Sequence, residues 1–187
     1  QNKSISPKAK ALKLNMMKKY KEAEVQWINA LQEYADGDIY FNFGNTLFNL
    51  SKFESAGKAY ILAIKLGYAQ NYLAYYNAAC AYSRLREKEL GLEYLSQAIK
   101  NGYNAISHIK SDPDLKYLRK SIDIDEFISK HLPERHNSSL DIEFIDAVKN
   151  EDINKVIELL QKGANIDTFF TPSQVFAPVF VTEPVKS

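Results

Sequence analysis

A chain of 187 residues that is 45% hydrophobic carries enough apolar surface for one elongated or two small compact domains. Its 24 Lys+Arg against 23 Asp+Glu leave a net charge of +1, which excludes a whole-molecule field aimed at nucleic acid or an anionic membrane, so any partner surface is local. No apolar stretch approaches the roughly 18 residues of a spanning helix, so no integral membrane segment is expected. The single cysteine, Cys80, excludes an internal disulfide.

In chain order, helical periodicity predicts segments near 7–18, 20–34, 38–50, 53–66, 71–85 and 88–101. Small residues recur through them as Ala11, Gly44 and Ala79, as Ala23, Ala56 and Gly91, and as Ala30, Ala63 and Ala98, each series stepping by 33 and then 35 residues. Large residues keep the same register: Leu14, Leu47 and Tyr82 in the first helix of each unit, Trp27, Tyr60 and Leu95 in the second. Antiparallel helices approach closely only where small side chains face each other and large ones fill the holes beside them, so the pattern predicts three helical hairpins. Gly37, Gly67 and Gly102 follow the second helices, where tolerance of positive φ ends a helix.

A period near 34, an aromatic opening the first helix, a small residue four positions on and an Ala-x3-aromatic-x2-Ala core in the second helix resemble the tetratricopeptide repeat (TPR). The middle unit carries the resemblance on Tyr40, Phe43, Gly44, Leu47, Phe53, Ala56, Tyr60 and Ala63, the third on Tyr75, Ala78, Ala79, Tyr82, Gly91, Leu95 and Ala98. The first unit keeps Tyr20, Ala23, Trp27 and Ala30 but has Pro7 and Lys10 where apolar residues are usual, as suits a terminal repeat whose outer face meets water. The proline that closes such repeats is absent, with Gly-Tyr in its place twice. Beyond the third unit, HIKSDPDLKYLR looks like a capping segment, with Asp112 as helix N-cap and Pro113 at the first helical position.

The polar stretch at 132–139 reads as a linker, and its Asn137-Ser138-Ser139 sequon would accept a glycan only in a eukaryotic secretory route. From Leu140 to Asp167 the sequence LDIEFIDAVKNEDINKVIELLQKGANID resembles the opening unit of an ankyrin array, with Val156, Leu159 and Leu160 on its second helix. One such unit cannot bury its apolar face alone, so it is expected to pack on the solenoid or on a partner. Residues 168–187 read as an extended apolar tail: no charge falls between Thr168 and Thr182, and Pro178 breaks a run rich in Val and Phe. That tail is an arm over the helices, an occupant of the solenoid groove or of a neighbouring molecule, or a disordered end. The expected fold is therefore all-α: a right-handed α-α superhelical solenoid of three TPR-like hairpins with capping helices over 4–131, then the linker, the ankyrin-like pair and the tail.

In TPR-like solenoids the first helices line a concave groove that receives a peptide or partner helix. The exposed stripe of those helices gives the candidate site: Leu12 and Asn15 beside Lys8 and Met16, then Phe41, Asn45, Phe48 and Asn49, then Tyr76, Cys80, Ser83 and Arg84. Asn side chains can hold an extended backbone and aromatic rings can form apolar pockets, although Phe41, Phe48 and Tyr76 serve equally well as packing between repeats. Some family members grip a C-terminal carboxylate with Lys and Asn in successive repeats. Asn45 and Asn77 match two amides of that set, but Phe41 stands where its first lysine would be and no further repeat supplies the basic pair, so a carboxylate clamp is not expected.

The three histidines, His108, His131 and His136, are scattered without metal-ligand spacing, Cys80 lies in an Ala-rich run, and no glycine-rich phosphate loop is present. The lysines at 8, 10, 13, 18, 19 and 21 alternate with apolar residues and read as a solvated face rather than a nucleic-acid site. The functional expectation is a non-catalytic adaptor or scaffold without cofactor or metal, binding an unknown protein or peptide. The alternatives are self-association through the ankyrin-like pair or tail and, remotely, an enzyme with an unrecognised site. Because the chain starts at Gln1 without Met, export to the periplasm or outside the cell is the expectation, with a cytoplasmic home as the alternative.

Overall fold

Ser6 opens the first helix: its hydroxyl accepts the N–H of Ala9 at 3.3 Å, and Pro7 takes a position where no amide hydrogen is needed. In this computed structural model, which describes residues 5–132 and 139–162, six helices follow in hairpin order. They are α1 (Pro7–Met16), α2 (Tyr20–Glu33), α3 (Gly37–Asn49), α4 (Phe53–Lys65), α5 (Asn71–Leu85) and α6 (Lys88–Lys100). Three shorter helices come next, α7 (Ile106–Ser111), α8 (Lys116–Ser121) and α9 (Ile124–His131), with a 3-10 turn at Pro113–Leu115. Beyond these lie α10 (Ser139–Lys149) and α11 (Ile153–Gln161). The described residues contain no strand, and the chain divides into two units, Gln1–Leu132 and Pro133–Ser187.

Each hairpin turns the same way. Lys18, Ser51 and Arg86 hold left-handed backbone at φ 57°, 58° and 61°, and after each the next amide returns to a carbonyl in the last turn of the preceding helix. Those returns are Lys19 N to Leu14 O at 2.9 Å, Lys52 N to Leu47 O at 2.9 Å and Glu87 N to Tyr82 O at 3.0 Å, which satisfy carbonyls the helix end would leave orphaned. The left-handed residue explains why α1 stops at Met16 rather than near 18. Between hairpins, Gly67 and Gly102 do the same work at φ 76° and 103°, with Tyr68 N on Ala63 O and Tyr103 N on Ala98 O, both at 2.9 Å.

Gly37 corrects one expectation. It is the first residue of α3, capped by Asp36 Oδ1 on Ile39 N at 2.6 Å, and it does not hold positive φ. It is small because the chain is crowded there: a Cβ would lie 2.6 Å from Tyr68 N and 2.9 Å from Ala63 O.

The small residues mark the crossings. Ala11, Ala23, Ala30, Gly44, Ala56, Ala63, Ala79, Gly91 and Ala98 are all buried, while Trp27, Tyr60 and Leu95 fill the interior beside them. Packing runs α1 on α2, α3 on α4 and α5 on α6, with α2 against α3 and α4 against α5 joining successive hairpins. One step of 35 beyond α5 falls on α7: Ile39, Ala74 and Ile109 are spaced by that period and all are buried, so this six-residue helix stands where a further first helix would begin. Asp112 then ends it and caps the next turn, its Oδ1 taking Asp114 N at 2.9 Å, and α8 and α9 close over α6.

In the second unit α10 packs on α11 around Phe144, Ala147 and Leu159, and Glu151 turns the hairpin at φ 56°. Ile153, Ile157 and Leu160 remain exposed along α11. The GANID exit and the tail lie outside the described residues.

Candidate functional site

Side chains of α3, α4 and α5 and of the segment after α6 line an open cavity of about 340 Å³. Asn45, Phe48 and Asn49 come from α3, Tyr60 from α4, Tyr76, Asn77 and Cys80 from α5, and His108, Asp112 and Asp114 from α7 and the turn that follows. Turns of a helix bring residues three and four apart to one face, so both α3 and α5 present amides and aromatic rings together.

The amides are held in place. Asn45 Oδ1 accepts the Tyr60 hydroxyl at 2.9 Å and Asn77 Nδ2 at 3.1 Å, while Asn49 Nδ2 donates to the Asn45 carbonyl at 2.8 Å. Asn45 Nδ2 and the side-chain oxygens of Asn77 and Asn49 have no hydrogen-bond partner among the described residues, which leaves both donors and acceptors for a ligand backbone.

Asp112 forms the floor. It is 8% exposed, its Oδ2 accepts the Tyr76 hydroxyl at 2.6 Å and the Cys80 thiol at 3.8 Å, and Arg119 holds its carbonyl from behind. Burial pushes the Tyr60 and Tyr76 phenols up, and burial followed by the Asp112 carboxylate pushes the Cys80 thiol well up, so all three remain protonated donors at neutral pH. Both effects disfavour the thiolate form that a nucleophile needs. His108 faces Asp112 Oδ2 through Nε2 at 3.7 Å, and its Nδ1 meets the Tyr103 hydroxyl at 2.8 Å.

Of the stripe expected from sequence, Asn45, Phe48, Asn49, Tyr76 and Cys80 meet in this cavity. Tyr76, Cys80 and Ser83 are buried rather than exposed, because the 3-10 turn at Pro113–Leu115 and helix α8 pack on α5. Ser83 Oγ has no hydrogen-bond partner among the described residues. Arg84 and Ser83 line a separate, more open depression with Arg86, Lys116 and Lys120; Arg84 pairs with Asp114 Oδ1 at 2.6 Å and lies 4.5 Å over the Phe53 ring.

The remaining members lie elsewhere. Phe41 stacks on Tyr68 at 4.2 Å, Leu12 is exposed on α1, and Asn15 Oδ1 accepts the Thr46 hydroxyl at 2.9 Å. Sequence reasoning missed Tyr60, His108, Asp112 and Asp114 as cavity walls. The available signal was the step of 35 that places Asp112 in register with Asn77.

Among the described residues no group of three or more His, Cys, Asp or Glu is arranged to hold a metal ion, and no helix is long and apolar enough to cross a membrane. Over 126 residues the chain is 34% identical to a chloroplastic protein of Arabidopsis thaliana, a match that takes in 67% of this chain and 35% of that protein. The chain therefore spans about a third of the length of the curated relative it matches. No family model matches the chain, and no solved structure matches it.

Proposed function

We propose that this chain is a non-catalytic protein-interaction module that holds an extended peptide between α3 and α5. The observation that carries the reading is the fixed amide set Asn45, Asn49 and Asn77, with unused donors and acceptors, set against the aromatic walls Phe48, Tyr60 and Tyr76. Amides arranged this way match the alternating N–H and C=O of an extended backbone, and rings add apolar area at low entropic cost. On this reading the hairpins form a TPR-type array with right-handed superhelical stacking, supported by the buried small residues at repeat spacing, and residues 140–167 form an ankyrin-like pair, of which 163–167 lie outside the described residues.

The test is selection from a random displayed peptide library, followed by titration of enriched peptides against Phe48→Ala and Asn49→Ala chains. Both variants keep full helicity and lose about tenfold or more in affinity, the loss expected when a contact at an interface centre is removed. Failure to enrich any peptide, or unchanged affinity in both variants, sinks the reading.

A further inference from the structure

We propose that the cavity takes a cationic side chain of the bound peptide, a guanidinium or an ammonium, with Asp112 as its counter-ion. The inference rests on the peptide-binding reading and adds the chemical class of the anchoring residue.

Asp112 is a carboxylate in the wall of a cavity and almost entirely removed from water. Such a charge is costly unless it is paired, and the chain leaves it without a Lys or Arg partner among the described residues. Its hydrogen bonds come from neutral donors, the Tyr76 hydroxyl, the Cys80 thiol and the Asp114 amide, which orient the carboxylate and leave its charge in place. The two nearby guanidinium groups are committed elsewhere. Arg84 pairs with Asp114, and Arg119 donates to the carbonyl oxygens of Ile109 and Asp112 rather than to the carboxylate.

His108 also faces the carboxylate, with Nε2 3.7 Å from Asp112 Oδ2. Its side chain is 55% exposed, and its Nδ1 faces the hydroxyl of Tyr103, a phenol pushed up to about 12 by burial and so a donor at neutral pH. The imidazole is thus a polar neighbour of Asp112, held by Tyr103, and not a Lys or Arg counter-ion.

The walls suit a cation as well. Rings of Phe48, Tyr60 and Tyr76 are among the cavity lining, and an aromatic ring attracts a guanidinium or ammonium that reaches its face partly dehydrated. An incoming cation thus meets a preoriented carboxylate and aromatic side chains in one cavity, while the amides at its edge hold the backbone that carries it. An acidic side chain would place like charge beside Asp112 and be rejected.

The experiment uses the full chain and three blocked single-residue probes: N-acetyl-arginine methylamide, N-acetyl-lysine methylamide and the apolar N-acetyl-norleucine methylamide. Binding is followed by the backbone amide NMR signals of Tyr76, Asn77 and Asp112. The two cationic probes shift these signals saturably, and norleucine binds about tenfold more weakly or not at all. Asp112→Asn, which keeps an oxygen for Tyr76, removes the preference. Equal binding of norleucine, absence of any shift, or an unchanged preference in Asp112→Asn overturns the proposal. Because the probe comparison is made on the unaltered chain, it stands even if that variant fails to fold. The two readings fail separately: peptides selected without a basic residue at the anchoring position overturn only this inference, whereas no selected peptide overturns the binding module itself.

Discussion

The ring of Tyr103 lies flat on that of Tyr76, with centroids 4.0 Å apart and planes 5° from parallel. The same arrangement occurs 35 residues earlier, where Tyr68 stacks on Phe41 at 4.2 Å and 14°. Each tyrosine follows a left-handed glycine, so the Gly-Tyr pair both turns the chain and sends an aromatic pin against the first helix of its hairpin. Tyr103 is 7% exposed and also anchors His108 at the cavity. Tyr103→Ala therefore costs about 3 kcal/mol, as expected for losing a buried aromatic. Tyr103→Phe, which keeps the stack and loses one hydrogen bond, costs about 1 kcal/mol. Urea unfolding followed by circular dichroism distinguishes the two; equal losses would mean that the hydroxyl, not the stack, is what matters.

Thr46 sits where three hairpin elements meet. Its hydroxyl accepts Trp27 Nε1–H at 2.8 Å and donates to Asn15 Oδ1 at 2.9 Å, and both Thr46 and Trp27 are fully buried. Thr46→Val keeps the shape and leaves the indole N–H without an acceptor, at a cost of about 1–3 kcal/mol. Thr46→Ser keeps the oxygen and loses about 1 kcal/mol or less through the missing methyl. A Val variant as stable as the parent would show that water or another acceptor replaces the hydroxyl.

Hairpin order is readable because it is written in residue size: a crossing helix pair excludes anything much larger than alanine, and a recurring Ala or Gly announces the crossing. The turns inside each hairpin are not readable, since Lys18, Ser51 and Arg86 share a backbone conformation that none of their side chains favours. Gly37 misleads for the complementary reason: glycine serves both positive φ and close approach, and only the neighbours distinguish them. The cavity is half visible. Asn45, Phe48, Asn49, Tyr76 and Cys80 repeat at helical spacing, whereas Asp112, Asp114 and His108 arrive from a six-residue helix and a 3-10 turn too short to show a helical periodicity of their own, leaving only the step of 35 to point to them.

The left-handed positions make opposite predictions according to what occupies them. Ser51 holds φ 58° with a Cβ that this conformation disfavours, so Ser51→Gly raises stability by about 0.5–1 kcal/mol, the relief of the steric cost less the greater freedom of glycine in the unfolded chain. Gly67 holds φ 76° with nothing within 4 Å of where a methyl would sit, so Gly67→Ala suffers only the conformational penalty and costs about 1–2 kcal/mol. Gly44→Ala costs about as much or more for a different reason, since its Cβ would lie 2.7 Å from the Tyr60 ring whose hydroxyl holds Asn45. Thermal melts rank the three, and a destabilised Ser51→Gly would contradict the backbone argument.

Alkaline pH attacks the same tyrosines that build the core and the cavity. Burial pushes the phenols of Tyr68 and Tyr103 up to about 12 and those of Tyr60 and Tyr76 higher, from the usual 10. Below pH 10 these groups are protonated in both folded and unfolded chains and favour neither. Above it the unfolded chain releases protons that the folded chain keeps, so stability falls as pH rises from 10 through 12. The chain is therefore expected to lose helicity in that window, as followed by circular dichroism. Tyr103→Phe removes one of the ionising groups and flattens the fall in stability measured by urea unfolding across that range. Helicity retained unchanged through pH 12 would show instead that ionising these phenols does not oppose the fold.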